Sequence, residues 1–157
     1  MGFADLERRN SIYAAARERL DGVRRGVEAA GIEWADVPVF ECEINSRENG
    51  VRGAAALLDL DQPPTAVLCT SDLLAFGAIQ TASARGLAVP GDLTVTGFDD
   101  IPAAARSDPP LATIRQPYTI KGESAARFLL DGWTGDPPRL QLPTELIWRE
   151  SAGLAPD

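Results

Sequence analysis

Two hydrophobic rhythms alternate along the chain. In residues 11–31, SIYAAARERLDGVRRGVEAAG, apolar side chains recur at Ile12, Leu20, Val23 and Val27 with alanines between them. A serine opens the run and Gly31 closes it, the punctuation of a capped amphipathic helix. VPVFECEI (37–44) then switches to the period-two alternation of a strand, SRENGVRGAAALLDL (46–60) returns to helix, and TAVLCT (65–70) is a short continuous apolar run of the kind buried in parallel sheets. SDLLAFGAIQTASARG (71–86) predicts a helix capped by Ser71 or Asp72 and stopped by Gly86. LTVTGF (93–98) predicts a strand, IPAAARS (101–107) a helical turn, LATIRQ (111–116) a strand, YTIKGESAARFLLDG (118–132) a helix and LQLPTELIWRE (140–150) a last strand. Strands and helices alternating at this spacing imply an α/β fold, a three-layer, doubly wound, mostly parallel sheet.

Composition narrows the class. At 157 residues the chain has the size of one ordinary domain, and 45% hydrophobic against 24% charged residues is normal for a globular protein. No apolar run approaches the roughly 18 residues of a membrane span. The net charge of −8 repels phosphate backbones, so this stretch is not expected to hold nucleic acid by itself. Cys42 and Cys69 both fall in predicted strands, far apart and with no histidine anywhere, which reads as buried thiols in a reducing, cytosolic setting. The absence of histidine excludes Ser-His catalysis, and no GxSxG, GxGxxG or GxxxxGK[ST] motif is present. No cofactor and no metal are called for.

In doubly wound sheets ligands bind beyond the carboxyl ends of the strands. The residues there are Asn45 and Ser46, Thr70 to Asp72, Phe98 to Asp100, and Arg115 to Pro117. Asp72 is explained by helix capping, with ligand contact open to Ser71. In GFDDIP, Gly97 lets the chain bend at the strand end, so that Asp99 or Asp100 either faces a crevice or forms a solvated turn stiffened by Pro102. Arg17 and Arg19, two apart on a helix, point in different directions; helical periodicity alone places them on the surface. Trp34, Trp133 and Trp148 read as core or boundary residues. A strand-end aspartate cluster also fits a Mg²⁺-dependent phosphoryl-transfer or receiver domain, although Lys121, the only lysine, falls in a predicted helix rather than after a strand.

PPTAVLCTSDLLAFGAIQTASARGLAVPGDLTVTGFDDIP, followed by PPLATIRQP and PTELIWRES, resembles the carboxyl-terminal part of the LacI/GalR family of transcription repressors, and ARERLDGVRRGVEAAGI is similar to that family's Arg-Leu-x-Gly helix. The resemblance covers nearly the whole chain. It implies a periplasmic-binding-protein-like sensor that closes on a small polar effector, a sugar or nucleoside, and forms a homodimer. Carried over by motif, Arg19 and Asp99 would bind effector hydroxyls, Ser71 would be a polar contact with Asp72 beside it, and Gln116 would lie at the crossover between subdomains. Asn45 stands where relatives often carry a stacking aromatic. Leu73, Leu74 and Phe76 would belong to the dimer interface.

The same resemblance divides the chain into an effector-binding subdomain at 1–117, a segment at 118–143 that in relatives belongs to the amino-terminal subdomain, and a return strand and tail at 144–157. The helix-turn-helix headpiece that reads operator DNA is absent from this sequence. The helix at 118–131 is therefore expected either to pack its Ile120, Phe128 and Leu129 on its own domain or to swap into another copy. A cytoplasmic regulator is the expected role, with an exported sugar receptor of the same fold as the alternative within binding proteins.

Overall fold

In a computed structural model of the chain, residues 14–132, 136 and 139–153 are described. The predicted rhythm is largely realised: helix α1 (Ala14–Ala29), α2 (Arg47–Leu58), strand β1 (Ala66–Leu68), α3 (Asp72–Ala84), β2 (Thr94–Thr96), β3 (Thr113–Arg115), α4 (Tyr118–Asp131) and β4 (Glu145–Ile147). Single turns of 3₁₀ helix lie at Trp34–Asp36 and Ala104–Arg106. The serine expected to cap α1, Ser11, lies outside the described residues, as does Trp133.

β1 and β2 pair in parallel, Val67 opposite Val95. The layer continues into β3 through single parallel bridges, Thr96 with Ala112 and Asp99 with Arg115, and β4 closes it antiparallel to β3. Leu93, Val95 and Leu111 are fully buried on this layer and pack with Ala75, Ala78 and Ala82 of α3. Small residues on that helix let the sheet and α2 approach it from two sides. Gly50 and Gly77 set the α2–α3 distance: a Cβ on Gly50 would lie 2.2 Å from the Leu74 carbonyl oxygen, and one on Gly77 would lie 2.3 Å from the Arg47 carbonyl oxygen. Buried Ser151 ties the tail to the sheet, its Oγ donating to the Val95 carbonyl at 2.6 Å and accepting the Ala112 N–H at 2.8 Å.

Three expectations are corrected. Residues 37–44 form no strand. Alternation makes a segment fit for a sheet, but a strand needs a ladder partner, and among the described residues β1 is hydrogen-bonded to β2 alone. An apolar cavity of about 460 Å³, lined by Val23, Phe40, Cys42, Leu57, Val67 and Leu68 among others, lies between this segment, α1 and β1. Cys42 accordingly sits in irregular chain and Cys69 just past β1, both partly buried and unpaired. Secondly, of the two alternatives for α4 the first is not realised: it does not pack its apolar residues on its own domain, burying none of them, and Leu129 and Leu130 are 77% and 85% exposed. Phe128 alone is partly covered, in a groove with Leu140 and Leu142. Thirdly, Trp148 is 64% exposed rather than a core or boundary residue.

Candidate ligand-binding site

Ser71 begins the site because it begins α3. Its backbone is extended and its Oγ accepts the Leu74 N–H at 3.3 Å, so the hydroxyl is fixed at the carboxyl end of β1, where the helix axis points at the crevice. The Ser71 hydroxyl also donates to the Asn45 side-chain oxygen, bringing together two residues 26 apart in sequence.

With Ser71 as the cap, Asp72 is free to turn inward. It is 1% exposed, and its Oδ2 accepts the Ile101 N–H at 2.8 Å while Oδ1 accepts the Thr113 hydroxyl at 2.5 Å. Its own N–H donates to the Phe98 carbonyl at 2.8 Å. Asp72 is therefore neither the cap nor a crevice residue, and it holds the turn after β2 from behind. Gly97 is required beside it, since a Cβ there would come within 2.3 Å of Asp72 Oδ1. Burial raises the Asp72 pKa above the usual carboxylate range, the bonds from Thr113 and Ile101 offset part of that rise, and the nearby charges of Asp99 and Asp100 add to it.

The turn so held is strained. Asp99 (φ 127°) and Asp100 (φ 56°) are consecutive non-glycine residues at positive φ, a conformation that costs on the order of 1–3 kcal/mol per residue unless its surroundings enforce it. The strain sends the two carboxylates in different directions. Asp100 is clamped by Arg149 and Arg115, each donating to it at 2.7 Å. Burial opposes its ionisation, but the two guanidinium bonds outweigh that and hold its pKa below the usual value. Asp99 faces the other way, where Gln116 Nε2 donates to its Oδ1 at 2.6 Å.

Arg19 reaches the same place from α1. One terminal nitrogen lies 3.6 Å from Asp99 Oδ1, another donates to the Thr70 carbonyl at 2.7 Å, and the guanidinium lies 3.9 Å above the Phe98 ring. That stacking explains why Arg19 is only 24% exposed although helical spacing placed it on the surface. Tyr118, the first residue of α4, stands beside this group: it is half-exposed, and its pKa is pushed up to about 12 by partial burial first and then by its interaction with the Asp99 carboxylate. Lys121 donates to Gln116 Oε1 at 2.7 Å.

Arg19, Asp99 and Gln116 are thus in direct contact, Ser71 is bonded to Asn45, and the two groups meet where Arg19 bonds the carbonyl of Thr70, the neighbour of Ser71; Asp72 lies behind them. Thr70 and Phe98 fall among the strand-end positions that the sequence marks out, although no role is read there for either; Tyr118 is not singled out, since it opens a helix and follows no strand directly. Leu73, proposed for an interface, is exposed, whereas Leu74 and Phe76 are partly buried and Phe76 packs against the core. A guanidinium beside a carboxylate, with hydroxyl and amide groups around them, offers paired donors and acceptors suited to vicinal hydroxyls. It is poorly suited to a cation, because both aspartates are already engaged by donors. Among the described residues no group of three or more His, Cys, Asp or Glu side chains could hold a metal ion.

With that rim in view, comparison with known proteins is decisive. Residues 4–152 match the periplasmic binding protein-like domain family. The chain belongs to this family. CelR, an HTH-type transcriptional regulator of Thermobifida fusca, is 37% identical over 140 residues, 87% of this chain and 41% of CelR. A structure of a CelR–cellobiose complex superposes with a TM-score of 0.80 at 37% identity, covering 86% of this chain and 42% of that one. A LacI family regulator from Lactobacillus casei with bound sucrose gives 0.75 at 28% identity, over 87% of this chain and 51% of that one. The chain therefore spans less than half the length of CelR. The α/β fold class and the resemblance to LacI-type sensors hold, and the phosphoryl-transfer and receiver reading is not favoured. No described helix is long and apolar enough to cross a membrane.

Proposed function

We propose that this chain is the effector-sensing part of a LacI-type transcriptional regulator, taking a small polyhydroxylated ligand, a sugar or nucleoside, at the rim formed by Arg19, Asn45, Ser71, Asp99, Gln116 and Tyr118. The carrying observation is the convergence of Arg19 and Asp99 from distant parts of the sequence onto one edge of the sheet. Arg19 donates to ligand oxygens and Asp99 accepts from ligand hydroxyls. Cellobiose in the CelR complex and sucrose in the L. casei regulator make di- and oligosaccharides the first class to test. We read the chain as a binding module and not an enzyme, a reading supported by its similarity to HTH-type transcriptional regulators.

Operator DNA is read by a helix-turn-helix elsewhere in a longer, cytoplasmic protein, and ligand acts by shifting the population between a DNA-competent and a ligand-closed arrangement. In that protein residues 1–117 and 144–157 form one lobe and 118–143 part of the other, and two copies pair through the α3 face that presents Leu73. A thermal-shift panel of cellobiose, sucrose and adenosine tests the reading. A ligand at ten times its Kd adds about 1.4 kcal/mol, a rise of roughly 3–6 °C for a domain of this size, which Arg19→Ala and Asp99→Ala should each abolish. A transition unmoved by every ligand, or moved by Mg²⁺ in a way that Asp99→Ala removes, overturns it.

A further inference from the structure

Two neighbouring aspartates hold their arginines differently. Asp100 draws Arg115 and Arg149 to 2.7 Å each, the ordinary length of a charge-assisted bond. Asp99, one residue before it in the same turn, has Arg19 beside it, yet the nearest guanidinium nitrogen stops 3.6 Å from Oδ1, beyond hydrogen-bond length. Exposure does not account for the gap. Arg19 and Asp99 are 24% and 20% exposed, whereas Arg115 closes fully on Asp100 at 50%, and a pair further from water attracts more strongly. What differs is where the guanidinium rests. Its carbon lies 3.9 Å from the centroid of the Phe98 ring, and one terminal nitrogen donates to the Thr70 carbonyl at 2.7 Å. The Phe98 carbonyl in turn accepts the Asp72 N–H at 2.8 Å, so the buried carboxylate that holds the turn also fixes the residue under Arg19.

We propose that Phe98 is a positioning residue: its ring is a shelf that holds the Arg19 guanidinium off Asp99, so that a donor and an acceptor stand side by side and both remain available to one ligand. The inference rests on reading the Arg19–Asp99 rim as the ligand site. A closed guanidinium–carboxylate pair engages its own donors and lone pairs, and a ligand hydroxyl must break that bond before making its own. Cation–π stacking holds the guanidinium by its face instead, and its five N–H donors lie in its plane. Thr70 takes one of them, and the rest are left to the rim. Asp99 Oδ1 meanwhile is satisfied by the uncharged amide of Gln116 at 2.6 Å, which a ligand displaces more easily than a guanidinium. A leucine at position 98 keeps apolar bulk but offers no π face, and the guanidinium then closes on the carboxylate as Arg115 and Arg149 close on Asp100.

Titration of the Tyr118 phenol in the full chain, without ligand, decides the matter, because Asp99 and Arg19 act on that group in opposite directions. The signal is read by difference from the matching Tyr118→Phe chain. Phe98 is only partly covered, so Phe98→Leu keeps the fold. With the ring gone the guanidinium offsets more of the Asp99 charge, and the Tyr118 midpoint should move to lower pH than in the parent. Made on Arg19→Ala, the same substitution should leave the midpoint of that variant where it was, since no guanidinium remains to close. A merely structural effect of losing the ring would appear in both backgrounds. A midpoint unchanged or raised in Phe98→Leu, or lowered equally with and without Arg19, overturns the shelf. Thermal shifts with cellobiose, sucrose and adenosine run alongside separate the two readings. A ligand that stabilises the parent should bind Phe98→Leu about tenfold more weakly and Phe98→Tyr, which keeps a ring, as tightly as the parent. Parental affinity in Phe98→Leu also overturns the shelf. The absence of any stabilising ligand counts against the sensor assignment, while the ligand-free titration decides the shelf independently.

Discussion

Asp72 Oδ2 accepts the backbone N–H of Ile101 at 2.8 Å while its own N–H donates to the Phe98 carbonyl at 2.8 Å, and these two bonds span a turn whose two inner residues both sit at positive φ. The buried carboxylate is thus a strut for Asp99, the carboxylate proposed to face the ligand. Asp72→Ala would leave the Ile101 N–H and the Thr113 hydroxyl without a partner, at about 1–3 kcal/mol each. Urea unfolding should show a loss on the order of 3 kcal/mol, with the Asp99 turn relaxed and ligand binding weakened. The pH dependence follows from the raised pKa. The fold favours the protonated acid, so stability should increase as pH falls from neutral through the raised value towards the unfolded value of about 3.9, and Asp72→Asn should flatten that increase.

Asp100 predicts the opposite slope in a lower window. Its pKa is depressed in the folded chain, so its contribution is present above about pH 3.9 and is lost as pH falls through the depressed value. Arg149 holds it from the tail, where it also donates to the Leu111 carbonyl at 2.7 Å. Arg149→Met should cost about 2–4 kcal/mol, because a carboxylate only 8% exposed loses its more buried partner, and should make the approach to acid unfolding shallower than in the parent. Arg115→Met, at a 50% exposed position, should cost under about 1 kcal/mol. Equal losses from the two substitutions would refute this ordering.

How much of this is legible in the sequence depends on whether the signal is local. Ser71 and Gly86 bracket α3 as read, because a cap and a left-handed stop act within one turn; Gly86 indeed lies at φ 72°. The alternation of residues 37–44 is equally clear, yet a strand is defined by a partner that no local pattern supplies. Asp72 reads as a possible cap since its neighbour can do the same work, and only the fold reveals that Thr113, 41 residues away, claims it. Arg19 is visible only through resemblance to a family, because periodicity cannot foresee a ring such as Phe98 beneath a guanidinium. Arg149, 49 residues from Asp100, gives no sequence signal.

The α2–α3 contact makes a paired prediction about glycine. In helices alanine is normally better than glycine by about 1 kcal/mol. Gly50→Ala should nevertheless destabilise by more than about 2 kcal/mol, since its Cβ would press on the Leu74 backbone, which cannot yield like a side chain. Gly22→Ala in α1 meets nothing within 4 Å and should stabilise by roughly 0.5–1 kcal/mol. Denaturant midpoints of the two variants should move in opposite directions.

Cys69 offers a chemical probe of the core. Burial pushes its thiol up to about 12, with the charge of Asp72 adding to the effect, so almost no thiolate exists at neutral pH. A disulfide reagent near neutral pH should modify Cys69 at a rate set by opening of the structure and not by the thiol's own chemistry. Lowering stability with Gly50→Ala should therefore accelerate labelling of Cys69 by about the factor predicted from the change in unfolding free energy. Rapid modification in the parent chain, insensitive to that substitution, would show that the β1 end is open to solvent.

Tyr118 carries the last prediction, because its phenol senses Asp99 without any ligand. Burial is the first cause of its pKa of about 12, followed by the Asp99 charge and the hydrogen bond to that carboxylate, while Arg19 pulls slightly the other way. The neutral phenol is the form the fold prefers, so the contribution of Tyr118 is complete below its unfolded value of about 10 and is lost as pH rises towards 12. Phenolate absorbance compared between the parent and Tyr118→Phe isolates this group from the chain's other tyrosine. Asp99→Ala removes the charge and the bond together and should bring the Tyr118 midpoint down part of the way from about 12, the share due to burial remaining, while Arg19→Ala should raise it slightly. A midpoint indifferent to Asp99→Ala would mean that the phenol and the carboxylate do not meet at the rim, and the ligand-facing geometry assigned to both would fail with it.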